Sequence, residues 1–130
     1  MSVQDSITNE IADLIEAEKN IELVIGPNLP ENKFCIVTGG GNVQDTFLDK
    51  SMLSILPITI NGKHSDQEYL YKMLNRILEY LIFLKSYPCG DKYQIYDIDY
   101  MSSPHLVGRT DDDLYICGFT VRVKFYQTGG

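Results

Sequence analysis

The chain has 130 residues, 44% of them hydrophobic and 11% aromatic, with no long biased tract, which excludes a disordered tail and suits one domain spanning 1–130. Eighteen acidic against eleven basic side chains give a formal net charge of −7 and a pI near 4.6. The averaged surface should therefore repel phosphate, and the spacing of Lys and Arg offers no basic patch for generic nucleic-acid binding.

Cys35, Cys89 and Cys117 are odd in number and include no C-x-x-C pair, which argues against a disulfide framework or a zinc knuckle and for free thiols in a reducing compartment. The opening "MSVQDSITNE" lacks the blocks of a signal peptide, and the longest apolar run, Leu81 to Leu84, falls far short of the ~18 residues of a membrane span. A soluble, cytoplasmic protein is expected.

In chain order, Val3, Ile7, Ile11, Leu14 and Ile15 recur at helical spacing with acidic residues between them, and Ser2 with Asp5 resembles a capping pair; a helix is predicted over 3–18. Residues 21–25 are β-branched and stop at Gly26-Pro27, as a short strand would. "KFCIVT" (33–38) predicts a second strand, which Gly39-Gly40-Gly41-Asn42 would fold back onto 43–48 as a hairpin.

"SMLSILPITING" alternates as a strand, with Met52, Ser54, Leu56 and Ile58 on one face and Leu53, Ile55 and Pro57 on the other. Pro57 cannot donate to a ladder and should push this strand to an edge or a bulge. Asn61-Gly62 would turn the chain out of it.

Ser65 with Glu68 three residues later forms a capping box before the clearest helix. Its stripe is Leu70, Met73, Leu74, Ile77, Leu78, Leu81 and Leu84, closed by Pro88-Cys89-Gly90. Residues 92–101 and 114–126 then alternate as strands, Phe119, Val121, Val123 and Phe125 facing one way and Thr120, Arg122, Lys124 and Tyr126 the other. A loop over 102–113 should join them. The order α-β-β-β-β-α-β-β predicts an α+β fold, a mixed and mainly antiparallel sheet with two helices packed on one face.

Three candidate chemistries come from the same residues. "INGKHS" imitates a phosphate-binding loop, but the first glycine position of G-x-x-x-x-G-K-[ST] is Pro57 and the hydroxyl position is His64. Proline has no N–H for a phosphate and histidine is a poor magnesium ligand, so no nucleotide site is expected. Asp97-x-Asp99 and Asp111 to Asp113 supply carboxylates of the kind a divalent cation takes, yet no Glu-x-Lys pair accompanies them and aspartate favours solvated turns. Nine tyrosines instead favour a protein interface over a catalytic cleft. No catalytic residue, cofactor-binding residue or metal ligand is expected, and the protein is not expected to be an enzyme.

Three blocks carry a family resemblance: "LPITINGKHSDQEYLYKMLNRILEYL", "YQIYDIDYMSSPHLVGRTDDDLYICGFTVRVKFY", and the acidic opening helix before "GPNLPENKFCIVTGGG". They resemble the tail terminators, also filed as minor capsid proteins, of long-tailed bacteriophages. The resemblance places a P-I-x-I-N-G-K turn on Pro57, Ile58, Ile60, Asn61, Gly62 and Lys63, and a P-x-x-V-G-R loop on Pro104, Val107, Gly108 and Arg109, both as scaffold.

What it implies is a virion subunit, made in the host bacterial cytoplasm, that closes into a ring, typically a hexamer, on the head-proximal end of the tail tube. The ring would stop tube polymerisation and present the joining surface to a head-completion protein, with DNA passing through unbound, no membrane and no cofactor. The expected partner surfaces are Gly39, Gly40, Gly41, Asn42, Gln44, Asp45, Asp49 and Lys50, and a lumen or partner loop of Arg109, Asp111, Asp112 and Asp113. The rivals are another head–tail connector and a metal-dependent enzyme using the aspartates.

Overall fold

The computed structural model describes residues 3–26, 28–39, 42–46 and 52–127. Helix α1 (Val3–Lys19) is followed by β1 (Leu23–Ile25), β2 (Phe34–Thr38), β3 (Asn42–Thr46) and β4 (Met52–His64), then α2 (Gln67–Ile82), β5 (Tyr93–Arg109) and β6 (Tyr115–Gln127). The strands form one six-stranded mixed sheet in the order β1-β2-β4-β6-β5, with β3 also on β4. β1 and β2 run parallel, and the remaining pairs are antiparallel.

The inward residues of β4 (Leu56, Ile58, Ile60), β6 (Phe119, Val121, Val123, Phe125) and β5 (Ile95, Ile98) share one cluster with Ile7, Ile11 and Ile15 of α1 and Leu70, Leu74, Ile77, Leu78 and Leu81 of α2. Both helices therefore cover the same face of the sheet, as the α+β pattern predicts. Burying the five α2 side chains contributes about 8–15 kcal/mol gross, at about 1.5–3 kcal/mol each.

Four local expectations are corrected. First, β2 and β3 do not form the hairpin expected of residues 33–38 and 43–48, of which Phe47 and Leu48 lie outside the described residues. β2 pairs β4 from Phe34↔Gly62 to Thr38↔Ile58, and β3 pairs the same flank of β4 from Asn42↔Ile55 to Thr46↔Met52.

Second, Pro57 does not place β4 at an edge, because β6 lines one side of β4 along its whole length and β2 and β3 lie on the other. The Gly39 N–H donates to the Pro57 carbonyl at 2.8 Å. In an antiparallel pair the return bond would come from the N–H of residue 57. Proline lacks it, and β2 ends there. The missing donor thus falls on the break between β2 and β3, where it costs no ladder bond.

Third, Asn61-Gly62 is not a turn, since β4 continues to His64 opposite Tyr115. Gly62 answers a packing demand: a Cβ there would lie 2.7 Å from the Phe34 ring and 2.8 Å from Leu70 Cδ2. The α2 cap is Asp66, whose carboxylate accepts the Tyr69 N–H at 3.2 Å, so Ser65 sits one residue before it. At the other end the Phe83 N–H donates to the Glu79 carbonyl at 3.0 Å, closing the helix at Ile82, well before Pro88.

Fourth, residues 102–109 are strand rather than loop. β5 runs on through Pro104 to Arg109, slipping register against β6 three times beyond Tyr100, and Pro104 falls within one of those slips on an edge strand, where a missing N–H is tolerated. The true connection is the short turn 110–114, where the Thr110 hydroxyl accepts the Leu114 N–H at 3.1 Å.

Candidate functional site

The residues expected to meet partners fall at two separate places. Gly39 ends beside Pro57, while Asn42, Gln44 and Asp45 belong to β3. Gly40, Gly41, Asp49 and Lys50 lie outside the described residues. Arg109, Asp111, Asp112 and Asp113 instead gather at the far end of the sheet, at the β5–β6 turn. Asn42 is level with Ile55 of β4 and Arg109 with Tyr115, hence with His64. Nine residues of strand separate those levels, about 30 Å. They are two surfaces, not one.

At the turn, the Arg109 guanidinium bonds the Asp113 carboxylate at 3.1 Å and lies over the Tyr115 ring, 5.3 Å from its centroid. Asp113 holds φ at 62°, a left-handed conformation that aspartate and asparagine tolerate better than most residues. Asp111 and Asp112 are exposed. The result is an acidic tip with one carboxylate neutralised by its own strand.

Asp97 and Asp99, the other carboxylate pair, stand on the helix-free face of the sheet opposite Lys124 and Arg122. Arg122 Nε and Nη2 donate to the two Asp99 oxygens at 2.9 and 3.2 Å. Lys124 bridges Asp97 at 3.4 Å and Asp99 at 3.2 Å.

Partial burial pushes the Asp99 carboxyl up, but the bonds and charges of Arg122 and Lys124 outweigh it and hold it below its ordinary range. The same bond and charge from Asp99 raise Lys124. These oxygens are committed to cations of the chain itself, and among the described residues no three His, Cys, Asp or Glu side chains are placed to hold a metal ion.

The nucleotide-like segment is also occupied by structure. His64 Nδ1 accepts the Asp66 N–H at 2.9 Å and its ring lies 4.7 Å from that of Tyr69. Burial pushes the Cys35 and Cys117 thiols up, away from the reactive thiolate, whereas Cys89 is exposed. Among the described residues no helix is long and apolar enough to cross a membrane.

What the sequence did not reveal is the outer half of β5. From Asp99 to Arg109 no residue is buried, and Tyr100, Met101, Leu106 and Val107 are 46–58% exposed on a stretch whose outer flank has no partner strand among the described residues. α2 covers β4, β6 and the first part of β5, and the strand runs on past that cover. Tyr69 and Tyr96 are exposed as well, while Tyr93 is buried and Tyr71, Tyr80, Tyr87 and Tyr115 pack partly against the core. The tyrosine-rich composition therefore divides between core and surface. The arrangement offers apolar contact area and fixed charge, the materials of an interface.

Neither a protein-family model nor a curated protein matches the sequence. The fold is similar to that of a chain in the virion of a native gene transfer agent (GTA) particle, at a TM-score of 0.60 and 9% identity, covering 96% of this chain and 95% of that one. At that identity the likeness is one of fold, extending over essentially all of both chains.

Proposed function

We propose that this chain is a structural virion protein that caps the head-proximal end of a phage tail tube as a six-membered ring and there joins the tube to the head. The observation that carries it is the end-to-end fold likeness to a chain of a phage-like virion, which agrees with the tail-terminator resemblance of three sequence blocks. The exposed apolar strand β5 supplies contact area of the kind an assembling subunit needs. The role is capping by shape: one side matches the last ring of tail-tube protein, the other refuses another ring and receives the head-completion protein. It needs no catalysis and no cofactor.

The acidic tip suits a lumen that DNA traverses without sticking, since Asp111 and Asp112 present unneutralised charge beside the Arg109–Asp113 pair. Phage tails assembled without the protein, imaged in negative stain, test the capping role. Abnormally long tubes are expected; tails of ordinary length detached from heads would mark a head–tail connector instead. Replacing Asp111, Asp112 and Asp113 with asparagine should leave ring formation intact and slow DNA ejection. Unchanged ejection removes the lumen assignment.

A further inference from the structure

The two margins of the sheet are unlike and complementary. On one margin, β5 exposes Tyr100, Met101, Leu106 and Val107, and residues 100–109 contain no Asp or Glu but do contain His105 and Arg109. On the other, β1 stops at Ile25 while β2 runs on to Thr38. That shortfall leaves an open cavity of about 520 Å³ under the first half of α1, walled by Asp5, Thr8, Asn9, Ile25, Val37 and Thr38. The helix above it carries Asp5, Glu10, Asp13, Glu16 and Glu18 against the single Lys19. One margin is apolar and acid-free; the other is a partly apolar hollow beneath an acidic helix.

The register puts them at the same height. Thr38 pairs Ile58, Ile58 pairs Val121 and Val121 pairs Tyr100. One row across the sheet thus leads from the cavity wall to Tyr100, with Met101 next to it, and the exposed margin runs on from there to Leu106, which is level with Cys117, Gly62 and Phe34. Two different patches that meet on one row are the materials of a head-to-tail contact, which makes a ring where its rotation closes. The margin is also built against the simpler alternative of adding a strand, because three register slips and Pro104, which has no N–H, interrupt residues 100–109 of β5. Contact must come from side chains entering a hollow.

Resting on the ring proposed above, we infer that the β5 margin of one copy of this chain, centred on Met101 and Leu106, seats in the α1–β1–β2 cavity of the next copy, and that repetition of this contact closes the ring.

The test uses the full chain at high concentration, with glutaraldehyde cross-linking and native mass spectrometry. The wild type should give a ladder of oligomers. The pair Met101→Asp with Leu106→Asp, and separately the pair Ile25→Asp with Thr38→Asp, should each lose it about tenfold or more, since a carboxylate enters an apolar contact. All four residues are exposed, and circular dichroism verifies that both variants fold.

Because each variant keeps the patch the other lacks, an equimolar mixture should restore dimers and nothing larger. A wild type that never forms a ladder, a ladder that survives in either variant, or a mixture without dimers overturns the inference. Tube length separates it from the capping role. Overlong tails together with a surviving ladder mean a terminator that closes through other surfaces, and a lost ladder with tails of ordinary length keeps the contact and discards the capping.

Discussion

Gly62→Ala isolates a close approach that the sequence alone reads as part of a phosphate-binding imitation. The added Cβ would meet Phe34 Cδ1 and Cε1 at 2.7 Å and Leu70 Cδ2 at 2.8 Å. Both neighbours belong to the core, 4% and 1% exposed, so neither can swing into solvent. Overpacking of this kind costs about 1–3 kcal/mol, and replacing glycine within a strand returns about 0.5–1 kcal/mol. A net loss of about 1 kcal/mol follows, with about 2.5 kcal/mol as the upper end.

Urea unfolding followed by circular dichroism should show the midpoint falling by about 0.5 M at an unchanged slope. Leu70→Ala alone should cost about 2–5 kcal/mol, but it opens space for the new methyl. In that background Gly62→Ala should be close to neutral, a coupling of about 1 kcal/mol. Equal costs in the two backgrounds, or a Gly62→Ala protein as stable as the wild type, would refute the packing account.

Two further outcomes are expected. Asp66→Ala should destabilise the protein by about 0.5–2 kcal/mol through loss of the α2 cap, whereas Ser65→Ala should change it by less than about 0.5 kcal/mol; urea midpoints decide between the two residues. For pH, the folded-state pKa of Asp99 is depressed, so its contribution is present above the unfolded carboxylate value of about 3.9 and is lost as pH falls through the lower folded value. Asp99→Asn should therefore flatten the acid limb of a midpoint-against-pH curve below about pH 4. Lys124 is raised, so its contribution holds below about pH 10.4 and disappears only as pH climbs through the folded value, leaving the neutral range flat.

Elements were legible where one period rules a long stretch. Leu70, Leu74, Ile77, Leu78 and Leu81 announce α2, and the alternation from Phe119 to Phe125 announces β6, because a helix stripe and a half-buried strand each impose their repeat on the sequence. β5 escaped beyond Met101 for the opposite reason. Each register slip shifts which side chain faces which way, so Ser102, Ser103, Pro104 and His105 show no alternation although the backbone remains a strand.

The glycines at 39–41 suggested a reversal because glycine is common in hairpin turns, yet β2 and β3 continue along one flank of β4. The aspartates at 97 and 99 were visible as a pair, but their partners Arg122 and Lys124 lie more than twenty residues away and are brought opposite only by the ladder. As for partner surfaces, the acidic tip was named from the sequence. The stretch beside it was expected to meet a partner as part of a loop over 102–113, but not as an exposed apolar strand, since exposure is set by where α2 stops covering the sheet.

The half-made pair between Gly39 and Pro57 has a consequence for local opening. β2 is fastened on both sides, to β1 and to β4, and places Phe34 and Ile36 in the core. β3 meets β4 over its first residues only, from Met52 to Ile55. With no return bond at residue 57 to tie the stretches together, the flank divides into two units that open independently. Amides of β2 should exchange with solvent deuterium at rates near those of global unfolding, and those of β3 should exchange sooner.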